Sequence, residues 1–313
     1  MSDAAIDIPQ TTATFAELPG ARDLFGVVDL RTMALRSDRR GALQVAKHLA
    51  CVAATGTLVW LALPHWYLLI PAMALHGLTL VTMFAPMHEG VHRTAFATST
   101  VNDVVAWVAG VLCFYNSTYY RYYHAWHHRY TQDPARDPEL MYPKAASRLA
   151  YLMEITGFTF WFRRAIDYPK LALGQTGRLP FVPENARRSV AISMSAQLLV
   201  YLVAAVSIAL GYTAALYFWF VPVLLAQPML RAILVTEHTG CSQDQNGLTN
   251  TRTTLAWFPI RLLMWNMPFH AEHHLFPSVP FHRLPALHLT IRDRLVHVAP
   301  GYIATNRAIL RAF

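Results

Sequence analysis

Charge is distributed unevenly along this chain. From Leu49 to Met87, and again from Ser189 to Leu230, there is no Asp, Glu, Lys or Arg. Coiled as helix, each run would extend roughly 60 Å, about twice the ~30 Å hydrocarbon core of a bilayer. Each run therefore reads as two spanning helices joined by a very short turn, with spans over 45–63, 66–86, 189–210 and 213–234. The turns fall near Pro64 and His65 and near Gly211, Tyr212 and Thr213, and neither carries a formal charge. Cations gather at the opposite ends: Arg36, Arg39, Arg40 and Lys47 before the first pair, Arg187 and Arg188 before the second, and Arg231 after it. By the positive-inside rule both termini and the middle segment are expected on the cytoplasmic side.

The polar segments between and after these runs have helical patterns of their own. Val104 to Tyr120 is a third uncharged stretch, bounded by Asp103 and Arg121. It is expected as one buried or interfacial helix, because a single extra crossing would carry one histidine cluster to the far side. Leu149 to Phe162, closed by Arg163 and Arg164, reads similarly, and Pro134, Pro138 and Pro143 make the stretch between them irregular. Leu284, Leu287, Ile291 and Leu295 recur at helical spacing beside Arg283, Arg292 and Arg294. That pattern gives an amphipathic helix lying on the membrane surface or packed into the core.

Composition agrees with a chain partly solvated by lipid. It is 54% hydrophobic with a mean hydropathy of +0.28, yet carries a formal charge of +8. An ordinary water-soluble domain has nowhere to put so large an apolar excess. The basic balance is accounted for by the topology, and no nucleic-acid partner is expected. The first 20 residues, with Asp3, Asp7, Glu17, Pro9 and Pro19, lack a basic start followed by an apolar core, so a polar tail rather than a signal peptide is expected there. Cys51, Cys113 and Cys241 have no paired spacing and read as buried thiols.

The chemistry is carried by histidine. The chain has 15, and three short words hold His88 and His92 (HEGVH), His124, His127 and His128 (HAWHH), and His270, His273 and His274 (HAEHH). Each word lies just beyond an apolar or helical segment, and residues three or four apart on a helix share a face, so each word can address a metal. His238, in TEHTG near the end of the last span, is a ninth candidate. Nine imidazoles exceed the usual coordination of one ion and suit two neighbouring ions. His48, His65, His76, His282, His288 and His297 belong to no such word, and His76 is expected within the bilayer as a packing or hydrogen-bonding residue. His88-Glu89-Gly90-Val91-His92 is also formally the HExxH word of a zinc metallopeptidase, but that reading leaves the two HxxHH words unexplained. A non-enzymatic metal carrier would instead place ligands along the spans.

The pattern HxxxH, HxxHH, HxxHH between two apolar pairs resembles the membrane fatty acid desaturase and hydroxylase superfamily. The likeness runs from about Leu43 to His288, and Asn266-Met267-Pro268-Phe269-His270-Ala271-Glu272-His273-His274-Leu275-Phe276-Pro277 is similar to the last histidine box of bacterial members. The resemblance implies an all-α integral membrane protein: four transmembrane helices in two hairpins, with interfacial helices and a cytoplasmic metal-binding cap. It further implies two Fe ions held by His88, His92, His124, His127, His128, His270, His273 and His274, with His238 matching an additional family histidine. The reaction implied is O2-dependent desaturation of a fatty acyl lipid. Electrons would come from a ferredoxin, rubredoxin or cytochrome-type donor with its reductase, because the chain has no iron–sulfur cysteine pattern or evident cytochrome domain of its own. Hydroxylation, or a small amino-acid-derived or isoprenoid substrate, is the alternative within the same family. The implied location is a bacterial inner membrane, with 1–42 as cytoplasmic tail and interfacial segment, 43–288 as the membrane body and 289–313 as the amphipathic C-terminal segment. Where some acyl desaturases have an asparagine four residues before the additional histidine, this chain has Leu234.

Glu89, Glu237, Asn266, Glu272 and Asp133 are candidates for orienting imidazoles through the remaining ring nitrogen, and Asp137 and Glu139, after the second word like Asp133, are candidates for the same role or for binding surface arginines. Aromatics at Trp107, Phe114, Tyr119 and Tyr123, with Tyr115 and Tyr122 among them, would suit the wall of a substrate tunnel, although aromatics near a membrane surface are more commonly anchors or core.

Overall fold

The computed structural model describes residues 20, 21, 24, 26–142 and 144–313. Residues 1–19 of the expected polar tail and Pro143 lie outside the described residues. A short helix α1 (Leu30–Met33) leads into α2 (Asp38–Ala62), whose start is fixed by Ser37, its side-chain oxygen accepting from the Arg40 amide at 3.3 Å. After a turn at 63–65 the chain returns through α3 (Trp66–Val81), which breaks at Thr82 and continues as α4 (Phe84–Val91). Then come α5 (Ser99–Cys113), α6 (Ser117–Tyr130), α7 (Arg148–Ile155), α8 (Phe158–Ala172), α9 (Glu184–Ala209), a π-helical turn at Leu216–Phe220, and α10 (Val221–Leu234). The remainder comprises α11 (Phe258–Leu263), α12 (His270–Leu275), α13 (Leu284–Ile291) and α14 (Tyr302–Ala312). Strands β1 (Thr253–Thr254) and β2 (Val298–Ala299) pair in parallel.

Among the described residues, four segments are long and apolar enough to cross a bilayer: Asp38–Ala62, Trp66–Val91, Glu184–Ala209 and Leu216–Leu234. Their outer faces expose large apolar side chains such as Leu58, Leu61, Ile70, Ile192, Leu202 and Val203, as lipid contact requires. Trp66, Tyr67 and Tyr212 stand exposed at the two short turns, where aromatic rings suit a membrane–water boundary. The centre of the stalk is α3, packed on both α2 and α10, while α9 packs mainly on α8 and α6. At Gly77 of α3 a Cβ would sit 1.9 Å from the Pro222 carbonyl oxygen of α10, so this crossing demands glycine. His76 bridges the stalk, hydrogen-bonded to Thr55 Oγ1 at 2.9 Å and the Phe218 carbonyl at 3.0 Å.

The polar segments depart from the sequence reading in two places. The single helix expected over Val104–Tyr120 is broken at Phe114, which adopts a left-handed conformation (φ 63°) and lets the Tyr115 amide bond back to the Gly110 carbonyl at 2.8 Å. The helix expected over Leu149–Phe162 is likewise divided, at Gly157 (φ 76°). Exposed Leu149, Leu152, Phe158 and Phe162 line its outer side. Leu284, Leu287 and Ile291 of α13 face inward, fully buried against Leu275 and Phe276. The core-packing alternative therefore describes that helix, and Leu295 follows it in extended backbone. The β1–β2 pair ties the C-terminal segment down next to α12, and the Thr254 amide donates to the Pro268 carbonyl at 2.8 Å.

Candidate metal centre

All three histidine words sit on buried helix ends beyond the stalk. α4 presents His88 and, at its cap, His92. α6, capped by the Asn116 side chain accepting from the Tyr119 amide at 2.9 Å, presents His124, His127 and His128 from its last two turns. α12 supplies His270, His273 and His274, preceded by Trp265 and Asn266 in left-handed backbone (φ 49° and 60°) that redirects the chain into the site. For a buried tryptophan that conformation is costly, and the indole is held there by donating to His48 Nδ1 at 3.2 Å. His238 arrives from the turn after α10.

Two groups result. Ligand atoms of His88, His92, His124, His128 and His273 lie within 4.8 Å of one another, as do those of His127, His238 and His274. His270 lies beside the second group, its ring 4.6 Å from that of His274 and 5.2 Å from that of His238, with Nε2 3.5 Å from Glu237. Eight of the nine rings are buried and His92 is half-buried.

The residues fit metal ions by a specific test. His128 Nε2 faces both His124 Nε2 at 3.0 Å and His273 Nε2 at 3.1 Å, and His127 Nε2 faces His238 Nε2 at 3.3 Å. Both ring nitrogens of His88, Nε2 of His92 and Nε2 of His274 are buried without a hydrogen-bond partner. Unpaired buried polar atoms cost about 1–3 kcal/mol each, and so many in one place is unfavourable unless a cation sits among them. An all-imidazole donor set suits a first-row transition metal. Burial pushes His92 down to about 3 and holds His124, His128, His238, His270, His273 and His274 well below the usual imidazole range. The rings are thus neutral, the form that ligates. His127 differs: burial pulls it down, but the carboxylates of Glu139 and Asp137 more than reverse that, to about 9.

Asp137, one of the carboxylates after the second histidine word, orients one of these rings, and groups not singled out in the sequence orient others. Asp137 accepts from His127 Nδ1 at 2.9 Å, and its other oxygen accepts from the Gln132 amide at 2.7 Å. Thr131 Oγ1 meets His274 Nδ1 at 3.2 Å, the Asn250 carbonyl meets His238 Nδ1 at 3.1 Å, and Tyr120 stacks on His124 at 4.9 Å. Of the other sequence candidates, Glu237 lies beside His270, and Glu139 lies 3.8 Å from His127 Nε2. Glu89 instead accepts from Thr94 Oγ1 at 2.9 Å and the Phe281 amide at 3.2 Å, a bracing role unlike the water-activating glutamate of a metallopeptidase. Glu272 is bound by Thr253 and His288, Asp133 pairs with Arg136, and Asn266 joins Arg261 to the Phe281 carbonyl. The loop at 131–140 folds Asp137 back beneath α6, whereas Asp133 faces outward. Only the Asp-Pro start of the turn at Pro138–Leu140 marks it in sequence.

A cavity of about 780 Å³ opens beside both groups, reaching His88, His124, His238 and His270. Tyr115, Tyr119 and Tyr123 line it. Trp107 and Phe114 do not: the first donates to Ser193 at 3.2 Å and the second stacks on Tyr201, since the break at Phe114 turns that ring toward the stalk.

Comparison with known proteins gives a consistent result. The sequence model of the fatty acid desaturase family matches residues 58–306. The chain is similar to an sn-1 oleoyl-lipid 12-desaturase of Picosynechococcus sp., 26% identical over 78% of this chain and 75% of that one. It is also similar to the dihydrorhizobitoxine desaturase of Bradyrhizobium elkanii, 28% identical over 79% of this chain and 74% of that one.

Proposed function

The chain belongs to the fatty acid desaturase family, and on that premise we propose that it is an O2-dependent membrane desaturase in which nine histidines hold two iron ions. The observation that carries this reading is the convergence of two sets of buried imidazoles, several of their nitrogens without any partner, beside one aromatic-walled cavity. His88, His92, His124, His128 and His273 would hold one iron; His127, His238 and His274, with His270 beside them, the other. Bound iron would supply an oxidant able to take two hydrogens from adjacent, unactivated carbons.

The protein's own part is positioning and exclusion. Asp137, Thr131 and the Asn250 carbonyl fix three rings through Nδ1 and so turn their Nε2 atoms inward. Phe84, Tyr115, Tyr120 and Tyr123 form the cavity wall next to His88 and His124. That wall excludes water and lays a carbon chain against the centre in a fixed register, which decides the carbons oxidised. The substrate proposed is a fatty acyl lipid, the class in the first relative's name. Electrons come from a ferredoxin, rubredoxin or cytochrome-type donor with its reductase. The protein sits in the cell inner membrane, its two helix pairs as hairpins and its histidine cap and termini cytoplasmic, in keeping with the Arg and Lys that flank the spans.

The test is untargeted mass spectrometry of lipid and aqueous extracts from cells expressing the wild type or His127→Ala. A wild-type-specific product two hydrogens lighter than its precursor is expected. A gain of one oxygen would make the protein a hydroxylase, and no difference with a competent redox partner present would overturn both.

A further inference from the structure

We infer that the substrate carries an oxyanion group, a carboxylate or a phosphate ester, and that Arg164 binds it. The inference rests on the reading of the cavity as the substrate site and narrows the substrate class. The cavity that reaches the histidines is not simply greasy: its wall carries six Lys or Arg side chains against four Asp or Glu. Arg231 among them is tied to Glu154. Arg164 is not so tied: among the described residues no carboxylate lies within 4.0 Å of it, and its only hydrogen bond to the main chain runs from Nε to the Phe114 carbonyl at 3.5 Å.

Half-burying a guanidinium without a counter-ion is unfavourable, and here the cost is partly offset by aromatic faces. The guanidinium carbon lies 3.9 Å from the Phe160 ring centre, 4.7 Å from Tyr115 and 5.7 Å from Tyr168. Such stacking holds the planar fork in place, and a fixed fork matches the paired oxygens of a carboxylate or phosphate. Arg163, over the Tyr142 ring at 3.7 Å and likewise without a carboxylate partner among the described residues, adds a second positive group to the same wall. Tyr115 packs on Tyr120, and Tyr120 stacks on His124, so two aromatic rings separate the anion site from the nearest histidine. A substrate anchored by its anionic end at Arg164 would run along these rings toward the centre. A neutral acyl ester has no group that uses this arginine.

The experiment measures thermal stabilisation of the iron-loaded protein in a non-ionic detergent by decanoate, decyl phosphate and decan-1-ol. Each probe is added to wild type, Arg164→Gln and Arg164→Lys. The expected result is that at least one anionic probe binds the wild type at least tenfold more tightly than the alcohol. Arg164→Gln should abolish that preference and Arg164→Lys should keep part of it. Tighter binding of decanoate points to an organic acid, and of decyl phosphate to a phospholipid headgroup. Equal binding of all three probes to the wild type, or an anion preference that survives in Arg164→Gln, would overturn the inference, and the first of these needs no variant to fold. Because no turnover is measured, this result is independent of whether His127→Ala abolishes desaturation.

Discussion

His127 points its Nδ1 at Asp137, 2.9 Å away and fully buried, and its Nε2 at His238. By accepting from Nδ1 the carboxylate fixes the ring orientation, so that Nε2 is the atom turned toward the metal group. Asp137→Asn retains the shape but removes the charge. We expect iron in the second group to fall about 10–100-fold in affinity, measured by iron retention against a chelator, while iron in the group around His88 is retained. Equal loss from both groups would mean that Asp137 supports the whole cap rather than one ring.

The sequence is readable where function is written in local spacing. His88 and His92, or His124 and His128, share a helix face by periodicity alone, and two uncharged runs of about twice bilayer length announce the four long helices. Asp137 is harder to single out from Asp133 because its role depends on a loop that folds back under α6. The break at Phe114 carries no sequence mark, since a non-glycine residue in the left-handed region is selected by tertiary packing. For the same reason pattern alone does not divide the aromatic run from Trp107 to Tyr123 into cavity wall and stalk. Glu89 and Glu272 stand beside ligands in sequence, but helix geometry points them away, toward Phe281 and His288.

His76, within the span-length segment Trp66–Val91, has a structural job. Its two hydrogen bonds join α2, α3 and the turn before α10, so His76→Ala should lower stability by about 1–3 kcal/mol and leave iron content unchanged. Thermal unfolding and metal analysis of the same sample check this, and loss of iron with unchanged stability would contradict it.

Gly77 sets the spacing of α3 and α10. With the Pro222 oxygen only 1.9 Å from where a β-carbon would stand, even Gly77→Ala must separate two backbones, at a cost of about 1–3 kcal/mol or more. Gly56→Ala, whose methyl would meet only the His76 ring at 3.4 Å, should be near neutral. Comparing melting midpoints of the two variants in detergent tests the assignment of that crossing.

Glu154 fastens α7 to α10 in a pH-sensitive way. Burial raises its pKa, but the Arg231 guanidinium, the Thr159 hydroxyl and Arg163 together outweigh that and hold it below the usual 4.5. A carboxylate depressed on folding adds stability that is present above pH about 4.5 and is lost as pH falls through the folded value. Glu154→Gln should therefore lower stability at neutral pH and show a shallower decline below pH about 4.5 than the wild type, as followed by thermal melts across that range.

The central claim is that histidines from three distant words and one turn hold two iron ions close together. Mössbauer spectroscopy of protein purified from cells grown on iron-57, with metal analysis of the same preparation, tests it most directly. The account predicts two irons per chain as a spin-coupled pair in nitrogen-rich coordination. A single zinc per chain, or one magnetically isolated iron, would contradict it.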